Sequence, residues 1–142
     1  MTYKVTTSID FCYGHRLLNY EGECRHLHGH NGRVEIDVVS DEPDYRGMVV
    51  DFSDIKAAVK TWIDDNLDHR MILHRDDPLV AVLSELGEAH YVIDRNPTAE
   101  NIAAHIHDMT SSDDLNITEV RLWETPNSFA TYRADANGHH MS

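Results

Sequence analysis

A chain of 142 residues, 41% hydrophobic and carrying a formal net charge of −13, has the size of one domain with one core. The acidic balance excludes a general nucleic-acid surface, which needs a basic face. No run of roughly eighteen apolar residues is present to span a membrane, and Met1-Thr2-Tyr3-Lys4-Val5 lacks the regions of a signal peptide. Two cysteines make no disulfide framework, so a cytoplasmic, reduced protein is expected. Asp outnumbers Glu sixteen to nine and Arg outnumbers Lys nine to three, a balance that fits a high-salt cytoplasm where surface charge is screened.

In chain order, Tyr3, Val5, Ile9, Phe11 and Tyr13 alternate and predict a strand whose odd-numbered face ends at His15. Cys12 falls on the other face with Gly14, which separates it from any site built on His15 and assigns it to structural packing. Residues 16–27 have no period and predict a loop. That loop runs into Cys24-Arg25-His26-Leu27-His28-Gly29-His30, with one of two cysteines and three of eleven histidines in seven residues. On an extended chain His28 and His30 share a face and can reach one metal ion. Gly29 leaves the opposite face bare. With His15 they supply three neutral imidazoles and an open fourth position, the pattern of a catalytic zinc site rather than a closed structural one. Cys24 has three readings: a fourth ligand that closes a structural site, a base or nucleophile beside the metal, or a plain loop thiol. Fully extended, residues 24 to 30 would span about 20 Å, so the chain must turn before His28 if both ends serve one site.

Residues 32–40 alternate as a half-buried strand, with Val34, Ile36 and Val38 on one face. Antiparallel pairing with the first strand would bring His15 to His28 and His30. A turn region with Pro43 and Gly47 leads to Asp51 or Ser53 as the cap of a helix. Its stripe is Ile55, Ala58, Val59, Trp62 and Ile63, and it ends near Asn66. Asp68-His69 follows, either a working pair or part of a solvated loop. Residues 78–86 predict a short helix opened by Pro78 and closed by Gly87, and Tyr91-Val92-Ile93 a short strand. Thr98 is the expected N-cap of a second main helix with Ile102, Ala103, Ile106 and Met109 as its stripe. His105 and His107 diverge on it. In the strand over 117–124, Glu124 continues the Val120-Leu122 face; if buried it needs a partner, and if the strand ends there it is solvated. Phe129 to Arg133 predicts a last strand, and the tail from Ala134, with His139 and His140, is expected to be disordered. The order gives an α+β plan with helices on one face of an antiparallel sheet.

Six elements in this order resemble the 6-pyruvoyl-tetrahydropterin synthase and 6-carboxytetrahydropterin synthase (QueD) family. They are Phe11-x-x-x-His15-Arg16-Leu17, Cys24-x-x-x-His28-Gly29-His30, Val50-Asp51-Phe52, Leu67-Asp68-His69, Asn96-Pro97-Thr98-x-Glu100 and Glu124-Thr125. The resemblance covers residues 3 to about 133. It implies a single tunnelling-fold (T-fold) domain over 1–134, with a four-stranded antiparallel sheet, two main helices on one face and a short extra helix. It also implies a homo-oligomer, a hexamer built as a dimer of trimers, with sites at subunit interfaces. His15, His28 and His30 match the Zn2+ ligands, Cys24 the catalytic cysteine, and Asp68 and His69 the charged pair that works with it. Glu124 matches the carboxylate that anchors the pterin ring, and Thr98 lies in a stretch that lines the same pocket. Arg25 and Arg70, near these motifs, are the expected contacts of a triphosphate. The implied enzyme is a zinc-dependent carbon-oxygen lyase acting on 7,8-dihydroneopterin triphosphate. Three residues between Cys24 and His28 resemble the branch that makes 6-carboxytetrahydropterin, acetaldehyde and triphosphate on the way to queuosine. The alternatives are the 6-pyruvoyl branch, which stops after triphosphate loss, and a non-catalytic zinc- or pterin-binding protein. The connection over 74–95 is longer than shorter family members carry, and Tyr13-Gly14 replaces a pair of small residues.

Overall fold

The structure is a computed structural model that describes residues 2–135; the tail with His139 and His140 lies outside the described residues. Strands β1 (Tyr3–His15) and β2 (His28–Ser40) form one long antiparallel ladder, in register from Tyr3 opposite Ser40 to His15 opposite His28. A helical rod follows, made of α1 (Phe52–Ile55), a π-helical turn (Lys56–Lys60) and α2 (Thr61–Asn66). Then come β3 (Arg70–His74), α3 (Leu79–Leu86), β4 (His90–Ile93), α4 (Ala99–Thr110), β5 (Glu119–Thr125) and β6 (Ser128–Arg133). The sheet order is β4-β3-β1-β2-β5-β6.

The four antiparallel strands expected from the sequence are β1, β2, β5 and β6, which lie side by side. Two further strands enlarge the sheet to six. β3 pairs parallel with β1, and β4 pairs parallel with β3. Met71-Ile72-Leu73 does not alternate because both Ile72 and Leu73 are buried, as in a strand covered on two faces. Parallel neighbours need a crossover, and the long connection over 74–95 supplies it, with α3 as its helix. The connection therefore extends the sheet beyond the edge that β1 would otherwise expose.

The core lies on the helix-covered face of the sheet. Ile55, Val59 and Ile63 from the rod and Ile102, Ala103 and Ile106 from α4 pack on Phe11, Val34, Ile36, Val120 and Leu122. Each fully buried aliphatic side chain contributes about 1.5–3 kcal/mol. Asp51 caps the rod by accepting the Ser53 N–H, as the sequence suggests. α3 buries no residue completely and ends at Gly87, whose φ of 72° is the left-handed conformation that glycine adopts without penalty. Its start is fixed differently. Asp77 is buried, accepts two hydrogen bonds from the Arg16 guanidinium, and also accepts the Leu79 N–H at 2.8 Å. The residue that follows His15 is thereby tied to the crossover. No helix among the described residues is long and apolar enough to cross a membrane.

Cys12 departs from the expectation. It does lie on the face opposite His15, but it is exposed rather than packed, outside the core that the rod and α4 form on the other face. Its Sγ donates to Asn31 Oδ1 at 3.0 Å across the β1–β2 ladder.

Candidate active site

The β1–β2 register places His15 opposite His28 and Tyr13 opposite His30. Cross-strand partners point to the same face, so three imidazoles converge at the end of the core face. One ligand atom from each of His15, His28 and His30 lies within 4.8 Å of the other two. The ring centroids are 4.5, 5.0 and 5.1 Å apart. His15 is 2% exposed, and its Nδ1 faces the Pro97 carbonyl at 2.6 Å. His28 Nδ1 faces the His26 carbonyl at 2.8 Å. A carbonyl can only accept, so each Nδ1 carries a proton, and in the neutral ring it is Nε2 that keeps the lone pair. The Nε2 atoms of His15 and His30 are buried without a hydrogen-bond partner. Burial holds the His15 pKa down to about 4, against the pull of the Pro97 carbonyl, and the neighbouring imidazoles add to the lowering. His15 is therefore neutral at pH 7, the form that binds metal.

The supports come from distant parts of the chain. Pro97 precedes α4, whose N-cap Thr98 accepts the Asn101 N–H at 3.1 Å. Asn96 mimics a strand partner for Leu18: its Oδ1 accepts the Leu18 N–H at 2.7 Å, and its Nδ2 donates to the Leu18 carbonyl at 2.8 Å. The start of α4 is thus locked to the residues that follow His15. Outer-shell contacts of this kind orient metal-binding histidines. Sequence reading missed the Pro97 carbonyl and Asn96 as supports; it marks Asn96-Pro97-Thr98 as a helix start and, through the family resemblance, as part of a pocket-lining stretch.

Glu124 is half-buried beside the triad, with Oε1 3.8 Å from His15 Nε2. It sits on the Val120-Leu122 face as the alternation indicates, and a bulge between Trp123 and Thr125 adjusts its position. The buried Tyr13 phenol is held well above its usual pKa, first by burial and then by the Glu124 carboxylate.

Asp68 and His69 form a second cluster on the outer face. His69 Nδ1 lies 2.8 Å from Asp68 Oδ2. Asp68 Oδ1 accepts the Cys12 N–H at 2.9 Å, and the His69 N–H donates to the Cys12 carbonyl at 2.7 Å. Ligand atoms of Cys12, Asp68 and His69 all lie within 4.8 Å of one another. Burial pushes the Asp68 carboxyl up, but the Cys12 N–H and the His69 ring together outweigh it and hold the group below its usual range. Cys24 belongs to neither cluster. It sits in a short 3-10 turn, Glu23–Arg25, before the chain extends at His26. The turn that the spacing requires is therefore present, but Cys24 does not complete the three-histidine set as a fourth ligand. Arg25 is exposed and donates to the Glu21 carbonyl at 2.9 Å. Arg70 borders an open cleft of about 680 Å³ together with His28, His30 and His69.

The sequence profile described as 6-pyruvoyl tetrahydropterin synthase matches residues 4–135. A 6-carboxy-5,6,7,8-tetrahydropterin synthase of Rickettsia bellii is 40% identical over 133 residues, covering 89% of this chain and 96% of that protein. An uncharacterized protein of Wolinella succinogenes superposes with a TM-score of 0.84 at 31% identity, covering 95% of this chain and 99% of the other. The 6-pyruvoyl tetrahydropterin synthase of Caenorhabditis elegans shares the fold, with a TM-score of 0.70 at 21% identity and coverage of 95% and 97%.

Proposed function

We propose, given that this chain belongs to the 6-pyruvoyl tetrahydropterin synthase family, that it is a zinc-dependent 6-carboxy-5,6,7,8-tetrahydropterin synthase. Its reaction would convert 7,8-dihydroneopterin triphosphate and one water to 6-carboxytetrahydropterin, acetaldehyde and triphosphate. The observation that carries the reading is the three-histidine cluster with two buried, unpartnered Nε2 atoms. Buried polar atoms left without partners are rare and call for a missing one. Three imidazoles with protons fixed on the far nitrogens of His15 and His28 fit Zn2+ and leave room for substrate. The choice of the carboxy product rests on the Rickettsia relative and on the three-residue spacing from Cys24 to His28.

When bound, the zinc supplies Lewis-acid stabilisation of negative charge on the substrate side chain. The chain supplies the rest. Glu124 accepts two hydrogen bonds from the amino and ring N–H groups of the pterin and fixes its orientation. Thr98 accepts the Asn101 N–H as the α4 cap, and its hydroxyl keeps an O–H to donate into the pocket. Cys24, as thiolate, removes a carbon-bound proton. Asp68 holds His69 by Nδ1 and leaves Nε2 to move a second proton. Because Asp68 and His69 stand beside Cys12 and not Cys24, they act on the Cys24 of another copy in a homo-oligomer. Arg70 borders the cleft, which supports it as a contact of the triphosphate, and Arg25 is assigned the same role.

The test is a product assay. Zinc-loaded protein is incubated with 7,8-dihydroneopterin triphosphate, and pterins and acetaldehyde are identified by mass spectrometry. The expected result is 6-carboxytetrahydropterin with acetaldehyde. A 6-pyruvoyl product without acetaldehyde transfers the chain to the other branch, and zinc binding without turnover overturns the catalytic reading.

A further inference from the structure

We propose that Cys12, Asp68 and His69, with Asn31 beside them, form a second binding site for a thiophilic divalent cation such as Zn2+. The site would lie on the face of the sheet opposite the three-histidine cluster. The donor set is sulfur, imidazole nitrogen and carboxylate oxygen, within 4.8 Å of one another. Three protein ligands of these types suit zinc, at distances of roughly 2.0–2.3 Å from the ion. Asn31 Oδ1, 3.0 Å from Cys12 Sγ, stands where a weak fourth donor is available.

The cluster is built rather than incidental. Cys12 and Asn31 are paired partners on two long strands, so their spacing is fixed by the ladder. Asp68 and His69 are held to the same residue by a reciprocal pair of bonds, one to the Cys12 N–H and one from the His69 N–H to the Cys12 carbonyl. His69 has a φ of 60°, a left-handed conformation that is uncommon for a residue with a side chain. Such strain persists where the surroundings enforce it. The His69 side chain is 78% exposed and has room to turn its ring from Asp68 toward an ion. Clefts bordered by Cys12, Asn31 and His69 open on both sides of the cluster.

The binding does not depend on the function proposed above, but its effect on turnover does. An ion here occupies Asp68 and His69, so zinc beyond the first equivalent inhibits. Metal-stripped full-length protein titrated with Co2+ tests the site directly. Sulfur ligation gives a near-ultraviolet charge-transfer band that an all-histidine site lacks. Wild type should bind two ions per chain and show the band. Cys12→Ser should bind one and show none. Cys24→Ser should match wild type, and His28→Ala should lose one ion and keep the band. A wild type that binds one ion without the band overturns the second site and leaves the histidine site standing. One ion with a band that Cys12→Ser removes does the reverse. A band that survives Cys12→Ser or vanishes in Cys24→Ser overturns the assignment to Cys12. In the product assay, Cys12→Ser should keep its rate with one equivalent of zinc and escape inhibition by excess. Equal inhibition of both proteins overturns the regulatory consequence.

Discussion

Holding a metal and holding a substrate are separable at single residues. His30→Ala removes one of the three proposed ligands, whose Nε2 is buried, and should weaken zinc binding by more than about 100-fold, measured by competition with a chelator. Glu124→Gln keeps the shape and loses the charge. It should leave zinc content unchanged and lower kcat/KM by about 10–100-fold, the loss of one or two charged hydrogen bonds. Asp77 adds a pH dependence. Hydrogen bonds from Arg16 hold its folded pKa below the usual carboxylate value. Its contribution is therefore complete above the ordinary carboxylate range and is lost as pH falls through the depressed folded value. Asp77→Asn should cost about 3 kcal/mol at pH 7 by leaving Arg16 without its charge partner, and should flatten the acid limb of stability against pH in denaturant melts.

Among the elements, the caps are where sequence and structure agree best. Thr98 caps α4 as its type and position indicate. Thr98→Ala should lower stability by about 0.5–2 kcal/mol in thermal melts, and Thr98→Ser should restore it. The histidine cluster was equally legible, because strand parity alone puts His28 with His30 and the β1–β2 ladder adds His15. What stayed hidden depended on the distant chain. Parity separated Cys12 from His15 correctly, but nothing local showed that residues 68 and 69 would arrive beside it. β3 was hidden because burial on both faces erases alternation. The Pro97 carbonyl, a backbone group 82 residues from His15, has no signal in residue identity.

At the scale of the whole molecule, one copy of the chain separates Cys24 from the Asp68–His69 pair. Oligomers that share sites across copies predict complementation: Cys24→Ala and His69→Ala, each inactive alone, should regain about one quarter of wild-type turnover after mixing and reassembly. No recovery would confine each site to one chain. The seam between β2 and β5 has a consequence for time rather than for chemistry. β1–β2 and β5–β6 are each local hairpins, but Val34 meets Leu122 and Glu35 accepts from Trp123 across 88 residues of sequence. Arg121 bridges the same seam to Glu35 and Asp37. Closing so long a loop carries its entropic cost before the contacts form. Joining the two hairpins is then the slow event of folding. Leu122→Ala should slow refolding, whereas truncations confined to one hairpin should chiefly hasten unfolding.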